Sequence, residues 1–319
     1  MSEIERLQSH IPLEMAGQRL DVALAEIFSQ YSRGRLQAWI RAGQVRLNDE
    51  EWRQPKAKVQ GGESVEVDAV VELERLHEAE AIPLSIVYED ESLIVVNKAV
   101  GMVAHPAVGN REGTLLNALL HHAPELHNVP RAGIVHRLDK ETSGLLVIAR
   151  TLVAQNSLVE QLQAREFGRE YEAVVIGPMI SGGTIEAPIG RHHIDRKRMA
   201  VTESGKEAVT HYRIGERFRD YTHLRVRLET GRTHQIRVHM THIRHPLVGD
   251  PVYGGRLRIP KQSSEELSNA LRAFRRQALH AARLGLRHPL TDEWMEWDVP
   301  VPPDMQALIE ILRRENSAG

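Results

Sequence analysis

The chain has 319 residues, 41% of them hydrophobic and 26% charged, with a formal net charge of −2; this is ordinary for a folded protein of two or three domains and excludes a disordered chain. It contains no cysteine, which excludes disulfides, thiolate metal sites and cysteine nucleophiles. Met1 to His10 hold no apolar signal-peptide core, and no apolar run approaches the ~18 residues of a membrane span, so a cytoplasmic protein without membrane association is expected.

The charge is unevenly placed. Arg33 to Lys58 carries seven Lys/Arg against three Asp/Glu, and Glu186 to Arg244 carries thirteen against seven. Glu66 to Glu80 inverts this, with six acids opposed only by Arg75. Two basic stretches joined by an acidic connector suit a protein with two polyanion-facing surfaces, although charge runs are more often plain solvated faces.

In chain order, Gln18 to Val67 reads as a small α+β module. Leu20, Leu24, Ile27 and Phe28 share a helical face, and Ser32 is placed to cap a second helix carrying Leu36 and Ile40 and ending at Gly43. Val45 to Leu47 and Ser64 to Val67 then alternate as short strands. The segments SRGRLQAWIRAGQVRLN and KVQGGESVEV resemble the alpha-L RNA-binding domain first known from a small-subunit ribosomal protein. The resemblance implies that Arg33, Arg35, Arg41 and Lys58 face the RNA backbone; a helical protein-interaction cap is the plainer reading of the same pattern. The expected division is an RNA-binding domain at 1–68, an acidic linker at 69–82 and a larger domain at 83–319.

From Pro83 strands dominate. IVYEDESLIVVNKAVGMVAH holds two apolar runs around the turn Glu89 to Glu91, and GIVHRLDKETSGLLVIAR reads as strand, polar loop and a second strand from Leu145 to Ala149. THLRVRLETGRTHQIRVHM alternates throughout, as half-buried strands do. Helices are expected at Thr114–Leu120, Val153–Phe167 and Asp304–Arg314. Without a regular βαβ repeat, the expected fold is α+β: a large mixed, mainly antiparallel sheet with flanking helices.

No phosphate loop, dinucleotide turn or nucleophile elbow is present. Asp139 lies in the loop His136-Arg137-Leu138-Asp139-Lys140, where flanking cations would keep its carboxylate ionised and competent as a nucleophile. Most loop aspartates merely cap turns, so the loop alone does not establish catalysis. However, RAGIVHRLDKETSGLLVIAR, REYEAVV and LETGRTHQIRVHM with HPLVGDPVYGG resemble the diagnostic segments of the RluA family of pseudouridine synthases, and the similarity spans the whole chain. One departure is Ala99, where the family usually has proline after Asn-Lys; it bears on a turn.

The resemblance implies a pseudouridine synthase fold and isomerisation of uridine to pseudouridine without a cofactor. It assigns Asp139 as nucleophile, Tyr171 as the residue stacking on the base, and Arg137 as the group filling the space of the flipped nucleotide. Arg237 is the candidate partner of Asp139 and Arg232 the reserve, both otherwise phosphate contacts; His136 joins the substrate-binding set. It also implies ribosomal RNA as partner, specifically the helix 69 stem-loop of large-subunit (23S) RNA, a contribution to large-subunit assembly, and no obligate protein partner. A synthase for another ribosomal site or transfer RNA, or a non-catalytic RNA-binding assembly factor, is the alternative; an intact Asp139, Tyr171 and Arg237 argues against the latter. His234, His239, His242 and His245 crowd one region, which raises a metal hydrolase as rival. On an alternating strand His234 and His239 would face opposite sides, and no metal site is expected.

Overall fold

The computed structural model describes residues 3–28, 31, 33–71, 78–106, 112–195 and 198–317. The chain divides into two compact units, Met1–His77 and Glu78–Gly319.

In the first unit, β1 (Glu3–His10), β2 (Val45–Leu47), β3 (Glu50–Glu51) and β4 (Ser64–Val71) form a sheet in the order β1-β4-β2-β3. α1 (Leu20–Ile27) and α2 (Arg33–Ala42) bury Leu20, Leu24, Leu36 and Ile40 with Val45, Val65 and Val67 of the sheet. Gly43 ends α2 at φ 78°, a left-handed position natural to glycine. The expected cap Ser32 lies outside the described residues. β1 was not anticipated, because the segment is mostly polar; among the described side chains Leu7 and the following Ile11 supply core. The expected linker is shorter at both ends: β4 runs to Val71, and the Glu80 N–H donates to the Asn117 carbonyl of the second unit at 3.0 Å. Residues 72–77 lie outside the described set.

The second unit contains β5 (Ile86–Glu89), β6 (Leu93–Lys98), α3 (Leu115–His122), β7 (Ser143–Ala149), α4 (Leu152–Gln163), β8 (Gly168–Ile176) and β9 (Gly183–Glu186). The hairpin β10 (Ile189–Arg191) and β11 (Met199–Val201) follows, then β12 (Val209–Arg217), β13 (Tyr221–Leu228), α5 (Gln235–His242), α6 (Glu265–Ala273), β14 (Leu279–Arg287), β15 (Trp294–Asp298) and α7 (Pro303–Ser317). Among the described residues nine strands form one sheet in the order β5-β6-β7-β14-β8-β13-β12-β9, with β15 also paired to β14. Only β7 and β14 pair in parallel, so the mixed, mainly antiparallel sheet with flanking helices is present.

Strand alternation divides the core. Ile94, Val96, Leu146, Ile148, Tyr171 and Ala173 face a cluster with α3 and α5. Leu93, Val95, Leu145 and Val147 face α4 on the other side, while Val174 meets α6 and α7. This two-sided burial explains why β6 and β7 read as continuous apolar runs. Each fully buried Leu, Ile or Val contributes about 1.5–3 kcal/mol, so the central strands form a rigid base for the loops at their ends.

Two expected strands are absent. Gly133 to His136 makes only the single bridge Ile134–Ile148, because Arg131, Ala132 and Gly133 are successively left-handed and turn the chain off the sheet. The alternating segment after Leu228 is a turn and then α5. The histidine argument built on a strand there is overturned with it.

Candidate active site

Asp139 sits in the loop entering β7, and the loop is pinned from below. Thr142 N–H donates to the Asp139 carbonyl at 3.0 Å. The ammonium of Lys98, 1% exposed, donates to the carbonyls of Ala99, Met102 and Lys140 at 2.9, 3.0 and 3.1 Å. Burial pushes Lys98 down to about 8, against the opposing pull of Glu141 and Asp139. Gln277 Nε2 donates to Thr142 Oγ1 at 2.9 Å.

The carboxylate of Asp139 accepts from Arg237 Nη1 at 2.9 Å. Arg237 projects from α5 and is itself held by a buried carboxylate, with Nε and Nη2 donating to Asp250 at 2.7 and 2.9 Å. Asp250 is held in turn by the backbone N–H groups of Val252 and Tyr253 at 2.9 and 3.0 Å. Burial alone would lower the pKa of Arg237, but Asp250 and then Asp139 raise it. One arginine between two carboxylates therefore stays charged and fixed, and it holds the Asp139 carboxylate in place. Arg232, the reserve, donates from Nε to the Glu207 carbonyl at 2.9 Å and makes no pair with Asp139.

A cavity of about 680 Å³ opens beside Asp139, lined among others by Arg137, Arg169, Tyr171, Arg232 and His234. Tyr171 is 7% exposed, and burial first, then the charge of Asp139, raises its pKa while Arg169 opposes. Arg137 is exposed at the rim. His136 is largely built into the scaffold: its Nε2 accepts from the Val147 N–H at 3.2 Å, and burial, then Arg169, pushes its pKa to about 3.

His234 caps α5 in a left-handed conformation, φ 58°. Its Nδ1 bonds the Tyr253 hydroxyl at 2.8 Å and its Nε2 stands 3.8 Å from Asp139. His239 is buried against Thr210 Oγ1 and the Ala187 carbonyl at 2.8 and 2.9 Å, while His245 bonds the Ile176 carbonyl at 2.9 Å. These three histidines thus have separate partners, and among the described residues no three His, Cys, Asp or Glu are grouped to hold a metal.

In the first unit, buried Asp21 takes Arg33 at 2.9 Å and Arg19 at 3.0 Å. Burial raises the Asp21 pKa, and hydrogen bonds from Arg19, Gln37 and Arg33 more than reverse this. Arg33, Gln37 and Arg41 follow the i, i+4, i+8 line of α2, and Lys58 is bridged to Arg19. Arg35 lies roughly 200° round the helix from Arg33 and is half-buried, so the structure does not bring it onto that face.

Sequence reasoning missed Lys98, Arg169, Asp250 and His234 as parts of the site. The signal available for Lys98 was a charge closing an apolar strand, LIVVNK; for Asp250 it was an acid in the Gly-Asp-Pro turn.

A family model described as RNA pseudouridylate synthase matches residues 92–242, and one described as S4 domain matches residues 18–65. Asp139 and Arg237 both lie within the first match, and the chain belongs to the RNA pseudouridylate synthase family. More particularly, it is 56% identical over 315 residues to the ribosomal large subunit pseudouridine synthase D of Escherichia coli strain K12, covering 99% of this chain and 97% of that protein. It is 54% identical over 318 residues to the protein of that name in Pseudomonas aeruginosa, covering 100% and 99%. The solved structure of human RNA pseudouridylate synthase domain containing 4 superposes with a TM-score of 0.57 at 25% identity, covering 72% of this chain and 93% of that one.

Proposed function

We propose that this chain isomerises uridines in large-subunit ribosomal RNA, in the helix 69 stem-loop, with Asp139 as nucleophile. The observation that carries the reading is the Asp139 carboxylate held at 2.9 Å by Arg237 on the wall of the cavity. A carboxylate held by a buried arginine at the wall of a nucleotide-sized, arginine-lined space can attack the sugar of a uridine turned out of its stack. The Asp139 oxygen bonds the anomeric carbon as the glycosidic C–N bond breaks, the uracil rotates, and its ring carbon then bonds the anomeric carbon and expels the Asp139 carboxylate. The proton on the newly joined ring carbon is lost and the freed ring nitrogen gains one, so atoms and charge balance. Tyr171 stacks on the base and Arg137 fills the vacated space. The first unit grips flanking RNA through Arg33, Arg41 and Lys58. The substrate class comes from relatives named for the ribosomal large subunit, and the enzyme acts in the cytoplasm and contributes to subunit assembly.

Asp139→Asn tests this. The amide is nearly isosteric but cannot serve as the carboxylate nucleophile, so pseudouridine formation should be lost with RNA affinity and fold retained. Mapping pseudouridines in large-subunit RNA from cells carrying only this variant reads it out. Turnover within tenfold of the parent sinks the assignment.

A further inference from the structure

Arg169 lies on β8 two residues before Tyr171, so both side chains leave the same face of the sheet. It is 6% exposed and lines the Asp139 cavity. Its Nη2 donates to the Glu229 backbone carbonyl at 3.0 Å, and its Nε has no partner among the described residues. The Glu229 carboxylate is engaged elsewhere, with His211 at 2.6 Å and Arg165 at 3.8 Å. Among the described residues no carboxylate pairs with Arg169.

Burying a cation without a paired carboxylate is costly. Arg131, Arg137, Arg165 and Arg232 line the same space. Gly231 adds a second observation: a Cβ there would stand 2.8 Å from Arg169 Nη1. Gly231 does not have the positive φ that would itself call for glycine, so its missing side chain keeps the guanidinium uncovered.

We propose that Arg169 is an RNA-binding residue whose guanidinium receives a non-bridging phosphate oxygen at the target nucleotide. The inference rests on the reading that this nucleotide enters the cavity to meet Asp139. A phosphate supplies the full negative charge that a uracil carbonyl lacks, and its oxygens match the planar fork of an arginine. The cost of leaving Arg169 unpaired in the free protein is returned only when RNA is seated, so affinity is concentrated on a correctly placed backbone.

The experiment uses the full chain carrying Asp139→Asn, so that binding is read without turnover. Stem-loop RNAs with one neutral methylphosphonate, moved nucleotide by nucleotide past the target, are titrated against this protein and against Asp139→Asn with Arg169→Met. One methylphosphonate should weaken the Asp139→Asn protein at least ~10-fold. At that position alone the Arg169→Met protein should lose nothing further. Its salt slope on unmodified RNA should fall by about 0.7, the value of one single-strand phosphate contact. Arg169→Lys keeps the charge without the fork and should recover part of the affinity. Because Arg169→Met removes an unpaired buried cation, its melting temperature should equal or exceed the parent's; an arginine kept for structure would move it down. Additive losses at every phosphate overturn the proposal, as does coupling of Arg169 to 2-thio- or 4-thiouridine instead. A flat scan with an inactive Asp139→Asn sinks only the role of Arg169, whereas an active Asp139→Asn sinks the functional reading.

Discussion

Arg137 makes no ion pair among the described residues and is exposed at the cavity rim, whereas Arg237 is 5% exposed and tied to two carboxylates. The two arginines beside Asp139 therefore differ in freedom: Arg237 is fixed, and Arg137 is the one proposed to enter a vacated stack. A point charge replaces a phosphate contact, but not a planar group standing in for a base. Arg137→Lys should slow the reaction at least ~10-fold, about 1.4 kcal/mol of transition-state stabilisation, and less on an RNA whose target uridine is already unstacked. Equal losses in single-turnover rates on both RNAs would pass the flipping role to another residue. A second expectation concerns buried imidazoles: burial pushes His136 to about 3 and His280 to about 4, from 6.5. Below pH 6.5 the unfolded chain takes up protons these rings refuse, so the stability they confer is full above that pH and falls as pH drops towards the folded values. Urea melts across this range should show the decline, and His280→Asn should flatten it by about one proton. An unchanged slope would mean that His280 is not held neutral.

The sheet's centre depends on one close approach. Gly144 in β7 has φ 116°, and a Cβ there would overlap the carbonyl of Ala281 in β14, where the parallel pairing is only His280–Ser143 and Ala281–Gly144. Gly144→Ala adds strain of about 1–3 kcal/mol to that overlap, so a total loss above about 3 kcal/mol is expected by chemical denaturation. A loss under 1 kcal/mol would mean the strands separate cheaply. The sequence made β6, β7, α3, α4 and the Asp139 loop legible, because central strands are apolar on both faces and helices are bounded by caps such as Thr114 and Thr151. It misled at α5, where Gln235 to Met240 are all buried; a helix covered on every side has no amphipathic period, and Ile236, Val238 and Met240 imitate a strand. Asp139 and Arg237 could be named from local segments. The Asp250 carboxylate that holds Arg237 from its other side could not, since no local pattern pairs the two, nor could the solitary state of Arg169, which follows from where Glu229 turns its carboxylate.

At the scale of the molecule, the two units allow a clean cut. Glu80 accepts from the Gly113 N–H at 3.0 Å and belongs with the larger unit, so a chain lacking residues 1–77 keeps this bond. That chain should fold and modify RNA weakly, with an affinity deficit that narrows at high salt because the contacts proposed for Arg33, Arg41 and Lys58 are electrostatic. Equal affinity for natural RNA, measured by filter binding, would remove the first unit from recognition. The position of β14 has a consequence during synthesis. It begins at Leu279 yet lies between β7 and β8, so the two halves of the sheet, one bearing Asp139 and the other leading into Arg237, stay unjoined until nearly the whole chain has left the ribosome. Such long-range closure is slow and leaves apolar edges open meanwhile. A nascent chain can thus hold Asp139, Tyr171 and Arg237 before the strand that joins their two halves of the sheet has been made.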